Sequence, residues 1–133
     1  MLVCFASEKG GAGKTTLAAL LAERLAGLGG PLRLADGDRQ GSLFALSERS
    51  DTIPLARKVF PMQFASLAND DEGVTILDLP SGIGVEFHAA MAVAHFAIVP
   101  AVPSAFDLRT LPATLSQIRA AQERRDGPPK AII

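Results

Sequence analysis

Short apolar runs recur along the chain and alternate with longer segments in which apolar residues are spaced three or four apart. Continuous apolar runs of this length are typical of strands that are buried on both faces of a sheet. The runs cover residues 3–6, 32–35, 74–77 and 96–99, and a further one begins at 130–133. We therefore predict five strands, of which the first four end at a loop that contains Gly, Asp or Pro.

The segments between these runs carry the spacing of helices. Five leucines at helical spacing predict a helix over residues 15–28, which ends at a Gly-Gly-Pro sequence. These leucines are Leu17, Leu20, Leu21, Leu25 and Leu28. A second apolar face predicts a helix over 108–125, formed by Leu108, Leu111, Leu115 and Ile118. Weaker patterns predict helices at 42–48, 61–68 and 84–94, with a linker through Pro54.

Strands that alternate with helices imply βαβ units and a parallel sheet. We therefore expect an α/β fold whose sheet is covered by helices on both faces. The 133 residues suffice for one domain with one core and are too few for two. A single domain over 1–133 is expected, and it breaks off inside its fifth strand as though C-terminally truncated.

Composition narrows the classes of function. The net charge is −1, and the absence of Trp and Tyr argues against a surface that stacks nucleic-acid bases. One cysteine, Cys4, excludes an internal disulfide and a cysteine-cluster metal site within one chain. The sequence has neither an apolar run of membrane-spanning length nor a secretory signal pattern. We expect a cytoplasmic protein with no membrane partner.

The loop after the first strand carries the strongest chemical pattern. Residues 8–16 read Glu-Lys-Gly-Gly-Ala-Gly-Lys-Thr-Thr. Glycines allow the backbone to curl so that several N–H groups face phosphate oxygens, and the following helix adds its positive N-terminal dipole. Lys14 is placed to reach the β and γ phosphates, and the Thr15 hydroxyl to coordinate Mg²⁺. The alternative is a plain glycine-rich turn that joins a strand to a helix.

This loop resembles the deviant Walker A motif, K-G-G-x-G-K-T-T, of the ParA/MinD family of ATPases. The standard P-loop pattern has Gly where this chain has Glu8. The resemblance implies that Lys9 is the signature lysine, which reaches the partner's phosphates across a nucleotide-sandwiched dimer. The nucleotide-binding residues that it implies are Lys9, Gly10, Gly11, Ala12, Gly13, Lys14, Thr15 and Thr16.

Two acidic strand ends extend the resemblance. Residues 36–42, Asp-Gly-Asp-Arg-Gln-Gly-Ser, resemble the family's D-x-D-P-Q-G-[SN], in which the second aspartate, Asp38 here, positions the attacking water. Asp36 is assigned to the local turn or to the outer shell of the metal, and an Asx-turn is the alternative for both. Arg39 replaces the usual proline, so this turn lacks the restriction that a proline ring imposes.

The second acidic end is Asp78, within residues 76–82, which resemble the family's Walker B region. A carboxylate after an apolar strand is placed to hold Mg²⁺, and an ordinary strand-to-loop aspartate is the alternative. By the resemblance, Thr15, Asp38 and Asp78 are the metal residues, and Lys9, Lys14 and Asp38 are the catalytic ones. Gly82 and Gly84 give this loop the freedom that a γ-phosphate sensor needs.

Residues 96–108 match most closely the ParF-like plasmid partition branch of the family. His95 stands where an Asp is usual, and we interpret it and His88 as structural residues. In relatives, sequence beyond the fifth strand contacts adenine and supplies much of the DNA-binding face, and this chain ends before it.

The resemblance implies an ATP- and Mg²⁺-dependent switch that dimerises on ATP, hydrolyses it slowly and acts in plasmid or chromosome partition or in cargo positioning. A centromere-binding or adaptor protein would stimulate hydrolysis. Non-specific DNA is a further candidate partner, through Arg119, Arg124, Arg125 and Lys130, although these residues also suit a solvated helix end. Two alternatives stay open: an amide-forming ligase on the same loop, and a non-enzymatic adaptor that binds nucleotide weakly.

Overall fold

The structure, a computed structural model, describes residues 1–69, 73–101 and 107–133, and for Asp107 and Leu108 it describes the backbone alone. The strands are β1 (Leu2–Phe5), β2 (Leu32–Asp36), β3 (Arg57–Lys58), β4 (Val74–Asp78), β5 (Phe96–Ile98) and β6 (Lys130–Ile132). The helices are α1 (Lys14–Ala26), α2 (Ser42–Ser47), α3 (Phe64–Ala68), α4 (Val85–Met91) and α5 (Asp107–Arg125), with a 3₁₀ turn at Pro61–Gln63.

The six strands form one parallel sheet in the order β3-β2-β4-β1-β5-β6. The chain moves outward from β1 to β2 and β3, returns to β4, and then crosses β1 to reach β5. The reversal lies beside β1, and open α/β sheets bind ligands at such points, outside the carboxyl ends of the strands.

Both faces of the sheet are buried. Neighbouring residues of a strand point to opposite faces, so Cys4 and Leu77 pack on one side and Phe5 and Ile76 on the other. The first side is covered by residues of α3, α4 and α5, among them Phe64, Phe87, Ala90, Met91, Ile118 and Ala121. The second is covered by α1 and α2 through Ala18, Ala19, Ala22 and Leu43. The α/β fold with a parallel sheet covered on both faces is therefore confirmed.

Several boundaries differ from the expected ones. The strand β3 was not predicted, because its two residues, Arg57 and Lys58, are charged and exposed and carry no apolar signal. The helices expected at 15–28 and 84–94 are shorter, and the 61–68 segment divides into the 3₁₀ turn and α3. The part of the family-like stretch at 102–106 lies outside the described residues. Within the described chain, no helix is both long and apolar enough to cross a membrane.

Candidate functional site

Three strand ends meet at the carboxyl edge of the sheet. In the register of β1, β4 and β2, Phe5 lies beside Asp78, and Asp78 lies beside Asp36. The loop after β1 leads directly into α1, so the glycine-rich segment stands over the two acidic strand ends. Residues far apart in the sequence are in this way gathered at one edge.

The glycine-rich loop has the backbone that a phosphate cradle requires. Gly11 and Gly13 have φ angles of 75° and 85°, in the left-handed region that favours glycine. Gly13 precedes the first residue of α1, and no described side chain caps this end of the helix. Because the first N–H groups of a helix lack partners within the helix, this end suits an anion.

An open cleft of about 650 Å³ lies in front of this loop, within the size range of small-molecule sites. It is lined by Gly10, Gly11, Ala12, Gly13, Lys14, Thr15, Thr16, Asp38, Gln40, Ser42, Leu79, Pro80 and Ser81. The structure thus brings together eight of the ten residues predicted for the site. Of the other two, Asp78 touches Thr15 from below, whereas Lys9 does not line this cleft.

The Lys14 side chain is buried at the base of the cleft. Its ammonium donates to the hydroxyl of Ser81 over 2.8 Å and to that of Ser7 over 3.2 Å. Burial lowers the pKa of Lys14, and the nearby charges of Asp78 and Asp38 partly offset this effect. The sequence did not single out either hydroxyl as a partner of Lys14, because serines are common in loops of every kind.

The Asp78 carboxylate is buried, and one of its oxygens has no partner. The Thr15 hydroxyl donates to Oδ2 over 2.6 Å, while Oδ1 has no hydrogen-bond partner among the described residues. Burial raises the pKa of Asp78 to about 6; the Thr15 hydrogen bond acts against burial, and the charge of Asp36 adds to it. A buried polar atom without a partner calls for an explanation.

A magnesium ion fits these atoms. Mg²⁺ prefers oxygen ligands and is held in nucleotide sites by one or two carboxylates together with phosphates and waters. Asp78 supplies a carboxylate oxygen that is unpaired within residues 1–69, 73–101 and 107–133, and Thr15 supplies a hydroxyl oxygen, both next to the loop that would carry the phosphates. Bound there, the ion would neutralise charge that develops on the phosphate oxygens.

The two aspartates after β2 differ in what they contact. Asp36 is buried, and its carboxylate accepts from the Asp38 N–H over 3.0 Å and from the Phe44 N–H over 2.8 Å, which ties down the start of α2. Asp38 lines the cleft and also accepts from the Gln40 N–H over 2.9 Å. The geometry agrees with a local-turn role for Asp36. For Asp38 it shows both an Asx-type contact and access to the cleft.

The remaining residues singled out from the sequence lie elsewhere. Arg39 is exposed and lines two smaller pockets beside the cleft together with Glu86. The Nδ1 atom of His95 accepts from the Leu2 N–H over 3.0 Å at the opposite, amino edge of the sheet. Arg125 donates to the carbonyls of Met91 and Ala94 at the end of α4. His95 and Arg125 thus make structural contacts away from the cleft.

The sheet order and the position of the glycine-rich loop define the class, an α/β domain with the P-loop NTPase fold. More particularly, the chain belongs to the CobQ/CobB/MinD/ParA nucleotide binding domain family, whose family model matches residues 3–132. No curated protein matches the sequence significantly.

Solved structures share the fold at low sequence identity. The septum site-determining protein MinD of Pyrococcus horikoshii OT3, complexed with Mg-ADP, is 18% identical with a TM-score of 0.73, over 90% of this chain and 65% of that one. Cobyrinic acid a,c-diamide synthase of Mycobacterium smegmatis, with bound ADP and magnesium, is 22% identical with a TM-score of 0.74, over 92% and 68%. The pNOB8 ParA bound to nonspecific DNA is 17% identical with a TM-score of 0.65, over 86% and 58%. The chain thus spans less than two thirds of the MinD and ParA chains.

Proposed function

We propose that residues 1–133 form one nucleotide-binding domain of the deviant Walker A kind, which binds ATP with Mg²⁺ and hydrolyses it slowly. The observation that carries this proposal is the Oδ1 atom of the buried Asp78, which finds no partner in the part of the chain that the structure describes and lies beside the Thr15 hydroxyl and under a glycine-rich loop. A buried carboxylate oxygen without a partner is costly unless a cation or a donor arrives with the ligand. Mg-ATP supplies that cation, and its phosphates suit the N–H groups of the loop.

Each polar group of the cleft then has a distinct task. The loop from Gly10 to Gly13 and the start of α1 bind the phosphates, and Lys14 stabilises charge at the β and γ phosphates. Thr15 and Asp78 hold the metal ion, to which Asp38 contributes from the rim. Asp38 also positions the attacking water, since phosphoryl transfer needs little beyond positioning and charge neutralisation.

The biological role that we propose is a ParA-type switch of the cytoplasm that dimerises on ATP and acts in partition or cargo positioning, closest to the ParF-like branch. Family membership supports the ATP-binding part, and the fold shared with MinD and ParA is compatible with the rest. A centromere-binding or adaptor protein would stimulate hydrolysis.

Non-specific DNA is proposed as a partner on the precedent of pNOB8 ParA. In this chain Arg119, Arg124 and Lys130 are exposed, whereas Arg125 is bonded to two backbone carbonyls. The candidate surface is therefore smaller than the sequence suggested. Non-specific binding to DNA depends on how many phosphates the protein neutralises, and salt weakens it with a log–log slope of about −0.9 for each of them. A surface with so few cations would therefore bind weakly.

The test separates nucleotide binding from chemistry. Lys14→Ala should weaken Mg-ATP binding at least about tenfold, as expected when a buried charged hydrogen-bond donor is lost. Asp38→Ala should largely preserve binding and lower kcat, because its carboxylate acts on the water. Calorimetry measures the first effect and phosphate release the second, with Lys130→Ala, at an exposed lysine of β6, as the matched control.

The alternative is an adaptor that binds nucleotide weakly and acts through protein contacts. Mg-ATP binding that is weak in the wild type and unchanged by Lys14→Ala would contradict the proposed switch and favour the adaptor. Tight binding without any release of phosphate would contradict the ATPase activity alone.

A further inference from the structure

Two hydrogen bonds join the loop after β4, residues 79–84, to the phosphate loop. The Gly82 N–H donates to the Ser7 carbonyl over 3.0 Å, and the Ser81 hydroxyl accepts from the Lys14 ammonium over 2.8 Å. This loop lines the cleft with Leu79, Pro80 and Ser81, and of these three only Ser81 has a polar side chain. Its hydroxyl is therefore the side-chain group that this loop offers to a ligand.

The chemistry of the hydroxyl allows it to bind Lys14 and a ligand together. A serine hydroxyl has one hydrogen to donate and two lone pairs to accept with. While Lys14 donates to the oxygen, the Ser81 hydrogen can be donated to an acceptor in the cleft. Ser81 is exposed, so an acceptor can approach it. Phosphate oxygens are strong acceptors, and hydrogen bonds to charged oxygens are the stronger kind.

The position of Ser81 indicates which phosphate it meets. In loops of this type the backbone N–H groups cradle the α and β phosphates, and the lysine extends to the β and γ phosphates. Ser81 contacts the far end of Lys14, its ammonium, and belongs to a different loop from the cradle. It therefore stands toward the end of the triphosphate that ADP lacks.

We propose that Ser81 determines the preference for the nucleoside triphosphate: its hydroxyl donates to a γ-phosphate oxygen while it accepts from Lys14. The contact would join residues 79–84 to the bound ATP and would be absent with ADP. This inference rests on the proposed nucleotide-binding function and adds to it the residue that recognises the terminal phosphate.

The test compares two ligands on one variant. Ser81→Ala should lower the affinity for a non-hydrolysable ATP analogue with Mg²⁺ by about tenfold, the loss expected for one hydrogen bond to a charged group. The affinity for Mg-ADP should stay unchanged, so the ratio of the two affinities falls. Ser81→Thr retains the hydroxyl and should restore the ratio. Calorimetry on the 133-residue chain measures both ligands.

Ser7→Ala is the matched control. It removes the other hydroxyl that accepts from the Lys14 ammonium, but Ser7 is buried and does not line the cleft. Because Lys14 is placed to reach the γ as well as the β phosphate, an effect that acts only through the placement of Lys14 would lower the ratio in Ser7→Ala as well. If the Ser81 hydroxyl itself contacts the γ phosphate, Ser7→Ala should leave the ratio as in the wild type.

The outcomes separate this inference from the proposed function. A lower ratio in Ser81→Ala alone, restored by Ser81→Thr, supports the role of Ser81. An unchanged ratio in a protein that binds both nucleotides overturns that role and leaves the proposed function intact. A wild-type chain that binds neither nucleotide overturns the proposed function, and the inference with it.

Discussion

The Asp78 side chain shows a conflict between stability and ligand binding. It is 1% exposed, and one of its carboxylate oxygens has no partner among the described residues. Burial disfavours the ionised form and raises the pKa to about 6. Near neutral pH the carboxylate is nevertheless largely ionised, so the protein without ligand carries a buried charge that the Thr15 hydrogen bond and the charge of Lys14 only partly offset. Strain of this kind is expected at a binding site.

Replacing Asp78 with Asn should therefore stabilise the ligand-free protein and weaken Mg²⁺-dependent nucleotide binding. The amide keeps an acceptor for Thr15 but carries no charge. Because the folded-state pKa is raised from 3.8 to about 6, the stability that Asp78 contributes is fully present below pH 3.8 and is lost as the pH rises through 6. Above that range Asp78→Asn should gain up to about 3 kcal/mol in the free energy of unfolding.

Urea unfolding measures this difference in the free energy of unfolding between wild type and Asp78→Asn. It should be compared at about pH 8, where the carboxylate is ionised, and at about pH 4, where it is largely protonated. Thr75→Ser, at a buried polar position earlier in β4, is a control for substitution in the same strand. Equal stabilities of wild type and Asp78→Asn at about pH 8 would contradict the account of a buried, destabilising carboxylate.

Single residues of the site differ in how far the sequence could predict them. Lys14 and Thr15 were predictable, because the glycine-rich loop fixes their place in a pattern. The pairing of Lys14 with Ser7 and Ser81 was not, because those hydroxyls come from two segments that meet only when β1 and β4 lie side by side. The hydrogen bond that Asp36 accepts from the Phe44 N–H depends on where the N–H groups at the start of α2 point, which spacing alone does not specify.

In α1 the spacing of apolar residues predicted the helix correctly but did not predict which of its faces is buried. Leucines marked the helix, yet Leu17 and Leu20 are 42% and 54% exposed. The fully buried positions are alanines, namely Ala18, Ala19 and Ala22. Small side chains allow a helix to approach the sheet closely, and the start of α1 must lie close to the acidic strand ends. The sequence pattern does not show which of these residues face the sheet, because leucines and alanines both recur at helical spacing.

His95 joins the start of β5 to the start of β1. Its Nδ1 accepts from the Leu2 N–H, and its own backbone N–H donates to the Leu2 carbonyl over 2.9 Å. An acceptor at Nδ1 requires the ring to be unprotonated at that atom. Burial lowers the pKa of His95, and the positive charges of the N-terminus and Arg125 act in the same direction. We therefore expect the junction of the two strands to be pH-sensitive.

Stability at this junction should fall as the solution becomes acidic. Because the folded-state pKa lies below the ordinary 6.5, the contribution of the neutral ring is fully present above pH 6.5 and is lost as the pH falls through the folded-state value. His95→Asn carries an oxygen on Cγ where Nδ1 was, accepts the same hydrogen bond and does not titrate. The free energy of unfolding of the wild type should fall relative to this variant between about pH 7 and about pH 5.

Asp78 titrates in an overlapping range with the opposite sign, so only the difference between wild type and His95→Asn isolates the histidine. Urea unfolding of both proteins across this range supplies that difference. If the free energies of unfolding of the two proteins differ by the same amount at every pH, His95 does not take up a proton on unfolding.

Lys9 and Lys14 belong to one loop, but the fold places their side chains at different cavities. Lys14 is the first residue of α1 and points into the cleft, whereas Lys9 borders a narrow crevice beside Pro100 and Thr110. A lysine outside its own cleft is not placed to bind the phosphates of its own nucleotide. The cleft lies at the carboxyl edge of the sheet and is open, so a second molecule can approach it. This arrangement is consistent with the proposed contact of Lys9 across a dimer.

Lys9→Ala should therefore leave the affinity of the monomer for Mg-ATP unchanged and impair dimerisation in the presence of a non-hydrolysable ATP analogue. Each lost interaction joins an ammonium to phosphate oxygens of the partner's nucleotide, and charge-assisted contacts of this kind contribute about 1.5–3 kcal/mol each. Because a symmetric dimer loses one contact from each protomer, it should dissociate roughly a hundredfold to ten-thousandfold more readily. Light scattering over a range of protein concentrations measures this change, and Lys130→Ala, which removes an exposed lysine of β6, should dimerise as the wild type does. Dimerisation that is unimpaired in Lys9→Ala would place this chain outside the nucleotide-sandwich mechanism, even if nucleotide binding itself holds.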